Sequence, residues 1–203
     1  ALKTLSGVQC IGLEAAVQMV GFYERAGFQK DCITTRRQML FRSEASLDAS
    51  SSQRSDVAVV PLREVSLEAI QRYDERHEIS PRPHFLELWL RHRAGDVFAA
   101  RDAEGECHGY VRIRPCLLPI GEGWRVGPWL AEDPGMASLL LNNALDHHNG
   151  VVLIDTPGHN PSAKTILSAR GFKPMTSTVR MYKGVIPKGH DRNVYGLACL
   201  ELG

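Results

Sequence analysis

Asp155 closes a four-residue apolar run, Val151–Ile154, and stands immediately before Thr156-Pro157. A carboxylate at the end of a buried strand can take a proton from an attacking nucleophile; it can equally be a turn carboxylate satisfied by its neighbours. Glu122, just before Trp124, is a weaker candidate for the same task. Tyr182 and Tyr195 could line a pocket for a small molecule, and both also suit half-buried strand positions. Two helix starts flank Asp155. Asp133-Pro134 and Asn160-Pro161 each place a capping side chain ahead of a proline at the first helical position. Cys199 lies on a strand with no charged neighbour to make a thiolate. The eight histidines include no H-E-x-x-H and no Cys/His pairing, so no metal site is expected. His147 and His148 point to different helix faces; His77, His84 and His92 surround a proline break; His159 and His190 fall in loops.

The elements that must position these groups can be read from periodicity. After Val151–Ile154, Ala163, Ile166, Leu167 and Arg170 recur at helical spacing, Gly171 sits where a left-handed C-cap belongs, and Thr176–Met181 is a β-branched strand. The same order occurs near the start of the chain. Val8–Ala15 reads as a strand, Val17–Ala26 as a helix, Gly27-Phe28 matches Gly171-Phe172, and Cys32–Leu40 is the next strand. The two Gly-Phe pairs are 144 residues apart, from 27 to 171, about one domain length. The chain therefore carries an internal repeat whose first copy is only a tail.

Residues 1–42 hold that tail, with too little core to stand alone, and are expected to dock on the rest of the chain or on a second copy as a dimerisation element. Ser43–Ser55 is serine-rich and reads as a linker. Residues 56–203 form the second unit. Val57–Pro61 is a strand, Ser66 caps a helix to about His77, and His84–His92 is a second short helix. Val97–Arg101 and Cys107–Arg114 form a hairpin in which Tyr110, Arg112 and Arg114 share one face and Val111 and Ile113 the other. Trp124–Leu130 is a strand, Pro134–His148 a helix, and Asn193–Leu202 the final strand.

This order, with "YERAGF", "RVGPWLAEDP", "NPSAKTILSARGF", "RMYKG" and "VYGLACLELG", resembles the GNAT (GCN5-related N-acetyltransferase) superfamily. More closely, it resembles the closing domain of tandem GNAT proteins preceded by the tail of a first domain. The resemblance implies an α/β GNAT-like fold, a central mixed, mostly antiparallel sheet flanked by helices on both faces. It implies acetyl transfer from acetyl-CoA to a small-molecule amine by direct attack, with Asp155 and Tyr182 as catalytic candidates. The cofactor would lie against Val126, Gly127, Trp129, Leu130, Gly135, Met136 and Asn160. The family's phosphate loop, V-x-P-x-x-R-G-x-G-x-G/A, is matched only at its start, by Val126–Leu130. Ala131 replaces its arginine, and Glu132, Pro134 and Met136 replace its glycines. The Asp133 side chain can accept the amides a pyrophosphate needs. The tyrosine that would protonate the departing thiolate is Tyr23 in the first copy and Leu167 in the second. A second reading follows, a catalytically silent module that binds or dimerises with a partner GNAT domain.

Composition bounds the alternatives. At 203 residues, 43% hydrophobic and a formal charge of +1, the chain suits a globular protein with no basic field for nucleic acid. Five cysteines without framework spacing fit a reducing, cytoplasmic compartment. No run approaches the roughly 18 apolar residues of a membrane span. The opening residues, Ala1–Leu13, lack signal-peptide features and read as the middle of a domain.

Overall fold

The computed structural model describes residues 7–42, 56–119, 121–186 and 191–200. The proposed linker Ser43–Ser55 and the end of the last expected strand lie outside them. Among the described residues nine strands form one mixed sheet in the order β1-β8-β2-β7-β6-β5-β4-β3, with β9 beside β6. In chain order the elements are β1 (Cys10–Ala16), α1 (Val20–Arg25), β2 (Gln29–Phe41), β3 (Val57–Pro61), α2 (Leu67–His77), α3 (Pro83–Leu90) and β4 (Asp96–Asp102). There follow β5 (Cys107–Leu118), β6 (Gly121–Ala131), α4 (Pro134–Leu145), β7 (Gly150–Thr156), α5 (Pro161–Ala169), β8 (Lys173–Gly184) and β9 (Val194–Gly196). Among the described residues only β6 and β7 pair in parallel; the other ladders are antiparallel.

Local chemistry starts the helices where the sequence places them. Ser66, Asp133 and Asn160 accept from the amides of Ala69, Met136 and Ala163, and Pro134 and Pro161 open α4 and α5. Alternation along β5 divides the core. Val111 and Ile113 face the cluster built with α4 and α5, through Leu140, Leu141, Ile166 and Leu167. Tyr110 faces the cluster built with α2 and α3, through Ile70, Tyr73 and Leu86. Helices therefore cover both faces of the sheet.

The first repeat is woven into this sheet. β2 pairs with β7 on one side and β8 on the other, and β8 in turn lies between β2 and β1. Residues 29–41 thus occupy an interior strand position, and β1 is the outer strand. α1 packs on β1 and β8 through Val20, Phe28 and Met181, with Tyr23 edge-on to Phe28. Among the described residues no helix is long and apolar enough to cross a membrane.

Candidate active site

The interleaving creates two equivalent corners. At the first, Arg36 on β2 stands opposite Asp155 on β7. Its Nε lies 2.7 Å from Oδ1 and its Nη2 2.9 Å from Oδ2, a bidentate pair. Arg125 Nη2 is 3.9 Å from Oδ2. At the second, Arg180 on β8 stands opposite Glu14 on β1, with Nε 3.0 Å from Oε1. Thr34 donates to Glu14 Oε1 at 2.9 Å and Thr178 to Oε2 at 2.7 Å. Thr34 faces Thr178 across the β2–β8 ladder. Thr34 and Thr178, and Arg36 and Arg180, keep the spacing of the repeated Gly-Phe pairs. Arg36 thus holds Asp155 and Arg180 holds Glu14, each across a ladder between the two segments.

The Asp155 corner is filled. β6 and β7 pair over Trp124–Val126 and Val152–Ile154 and then separate. β9 enters the gap, pairing Gly196 with Trp129 and Val194 with Leu130, while the Leu197 amide donates to the Asp155 carbonyl at 2.9 Å. Gly127, at φ 146°, lets this strand approach, since a Cβ there would lie 1.9 Å from the Leu197 carbonyl oxygen. Asn160 caps α5 through Oδ1 and holds the incoming strand through Nδ2, which donates to the Arg192 and Val194 carbonyls at 2.8 and 3.1 Å. Asp133 Oδ1 accepts from the amide of Met136, the residue after Gly135, at 2.8 Å. Val126, Trp129 and Leu130 are fully buried, and Trp129 Nε1 donates to the Ala137 carbonyl. The residues that the resemblance assigns to a cofactor are brought together, and their groups are committed within the chain. Asp155 itself is 1% exposed, its oxygens facing Arg36 and Arg125.

The Glu14 corner is open. A cavity of about 350 Å³ is lined by Glu14, Cys32, Thr34, His159, Arg180 and Tyr182, among others. Tyr182 is buried beneath the Arg180 guanidinium, and Gly12 leaves room for its ring. A bulge in β2 between Lys30 and Ile33 turns Asp31 and Cys32 out of the ladder. The turn after β7 lies against that bulge, close enough that a Cβ on Gly158 would be 2.7 Å from the Ile33 carbonyl oxygen. This brings His159 Nε2 to 2.9 Å from Asp31 Oδ2, an imidazole oriented by a carboxylate. Cys32 completes a trio whose ligating atoms lie within 4.8 Å of one another. Burial pushes the Cys32 thiol up to about 11 against the Gly158 hydrogen bond, so at neutral pH it stays a thiol.

Sequence reasoning reached Tyr182 and missed Glu14, Asp31 and His159. Glu14 had a signal, because it is a carboxylate near the end of β1 as Asp155 is near the end of β7. Asp31 and His159, 128 positions apart, had none.

Glu132, the other acid of the degenerate loop, is also engaged. His108 bridges it to Asp102, with Nδ1 2.9 Å from Glu132 Oε1 and Nε2 2.9 Å from Asp102 Oδ2. Burial opposes the imidazolium, but these two carboxylates outweigh burial and raise His108 above its ordinary 6.5. The same contact, first among its causes, lowers Asp102 below its ordinary 3.8. The His108 contribution is therefore complete below 6.5 and lost as pH rises through its raised value, while the Asp102 contribution is lost in acid. His108→Asn should remove the decline in melting temperature of the parent protein between pH 6.5 and 8, as read by circular dichroism.

A family profile described as "Acetyltransferase (GNAT) domain" matches residues 70–196. The chain belongs to the GNAT acetyltransferase family. It is 25% identical over 195 residues to a holothin acyltransferase from Pseudoalteromonas sp. (strain SANK 73390), covering 95% of this chain and 62% of that protein. The crystal structure of a candidate acetyltransferase from Pyrococcus horikoshii matches with a TM-score of 0.72 at 21% identity, over 96% of this chain and 60% of that one. A GCN5-related N-acetyltransferase from Anabaena variabilis matches with a TM-score of 0.56 at 14% identity, over 89% of this chain and 47% of that one. These structural likenesses show the fold. The chain spans about three fifths of the length of the first two of these relatives.

An acyl-CoA does not fit the Asp155 corner as it stands. The β6 edge at Trp129 and Leu130 is paired with β9, and the Met136 amide at the α4 N-terminus is taken by Asp133.

Proposed function

We propose that this chain supplies the acceptor-amine site of an acyl-CoA-dependent N-acyltransferase, at the Glu14 cavity. The Asp155 corner is then its sealed, catalytically silent counterpart. The observation that carries this reading is the Glu14 corner itself, which among the described residues opens into a cavity with an acid–base pair, His159 and Asp31, on its wall. The acyltransferase relative, which extends well beyond the matched region, supports a longer protein whose other part brings the acyl donor.

The roles follow from the contacts. His159, in its neutral form, accepts the proton that the amine must lose, and Asp31 stabilises the resulting imidazolium. Glu14 is fixed by Thr34, Thr178 and Arg180 and gives the floor of the cavity a placed hydrogen-bond acceptor for an amine N–H. Tyr182 forms an apolar wall beside it.

The test is acyl transfer from acetyl-CoA to a panel of primary amines by the protein that carries a complete first copy. His159→Gln should lower kcat/KM by about 100-fold, the usual size of a general-base contribution. Transfer within threefold of the parent, or no transfer to any amine by the parent, would overturn the reading.

A further inference from the structure

A second cavity lies on the α2–α3 side of the sheet, sharing no lining residue with the Glu14 cavity. It holds about 480 Å³, within the ordinary size range of small-molecule sites. Phe85, Leu88, Trp89 and Pro115 form apolar walls, and Arg112 and Arg114, the polar face of β5, provide the cationic part of the lining. Both guanidiniums stack on Trp89, 5.1 and 4.9 Å from its ring centre.

None of the described lining residues is a carboxylate. Arg112 is 2% exposed; its Nη2 donates to the Ala94 carbonyl at 2.8 Å, while its buried Nε has no hydrogen-bond partner. A buried, unpartnered guanidinium N–H is costly. Burial first, and then Arg114 beside it, push Arg112 down to about 10. His92 at the rim accepts the Ala94 amide on Nδ1, so its neutral form carries a proton on Nε2, a further donor. Among the described lining residues the side chains thus offer donors and positive charge, with the Arg112 Nε still unpartnered.

We propose that this cavity binds a small organic acid, a carboxylate on an apolar body, with Arg112 and Arg114 taking the carboxylate and Phe85, Leu88, Trp89 and Pro115 the body. Planar, weakly hydrated guanidinium suits a carboxylate, and the apolar walls distinguish such an acid from a bare inorganic anion.

The probe is 4-phenylbutyrate, titrated into the protein by calorimetry at low salt, against 4-phenylbutyramide, acetate and inorganic phosphate. Phenylbutyrate should saturate, and each comparison compound should bind at least tenfold more weakly. Arg112→Met should weaken phenylbutyrate at least tenfold. Leu88→Glu, at a lip position 77% exposed and so without risk to folding, should do the same by adding an unfavourable charge. Binding of the amide or of phosphate as tightly as the acid, or Leu88→Glu with unchanged affinity, would overturn the proposal. His159→Gln should leave phenylbutyrate binding intact, so this test is independent of the acceptor-site reading.

Discussion

Arg36→Met should lower the stability of the fold by about 3–5 kcal/mol, the usual cost of removing one partner from a buried ion pair. Asp155 is 1% exposed and receives both of its short hydrogen bonds from Arg36, across 119 positions of chain. Methionine fills much of the arginine's volume, so the loss reports the stranded carboxylate rather than a cavity. Arg125, 3.9 Å away, can take over only part of the charge. At roughly 2–4 °C per kcal/mol for a chain of this size, the melting temperature should fall by about 10 °C. The mirror variant, Arg180→Met, should cost less, because Glu14 keeps the hydroxyls of Thr34 and Thr178. Melting curves of the two variants at pH 7 check the order. Equal losses, or a loss under 1 kcal/mol for Arg36→Met, would mean that the strand-end carboxylates are not held as described.

Gly127→Ala should be nearly as damaging, for a reason of backbone rather than charge. Its φ of 146° lies where side chains are strained, at a cost of about 1–3 kcal/mol. The added methyl would also stand 1.9 Å from the Leu197 carbonyl, a backbone atom that cannot rotate away. β9 must therefore shift, and the Leu197 hydrogen bond to Asp155 goes with it. We expect a total loss of about 3–4 kcal/mol, together with faster hydrogen exchange confined to β9 and the end of β6. An alanine variant with unchanged protection in those strands would show that β9 does not depend on this close approach.

Which features could be read in advance follows from the range of the interactions behind them. Ser66, Asp133 and Asn160 cap helices through amides three residues away, and all three helices begin where these residues place them. The face of β5 with Tyr110, Arg112 and Arg114 is a matter of period two, and it too is seen. Asp155 could be placed at a strand end, but its partner is chosen by the β2–β7 register, which no local signal encodes. The last strand was expected over Asn193–Leu202, but the strand ends at Gly196 and residues 197–200 leave the ladder; its place between β6 and β7 depends on Gly127 and Asn160. His159 reads as a loop histidine until the bulge at Asp31 and the bare backbone of Gly158 bring the two segments together.

The interior position of β2 bears on how the chain reaches its native state. Both of its neighbours, β7 and β8, are encoded more than a hundred residues later. During synthesis this strand, thirteen residues long, must wait with both edges unsatisfied until β7 and β8 have left the ribosome. Such distant pairings raise contact order and slow folding. The cooperative unit is then larger than either repeat, and the early segment is where chaperone protection would matter most.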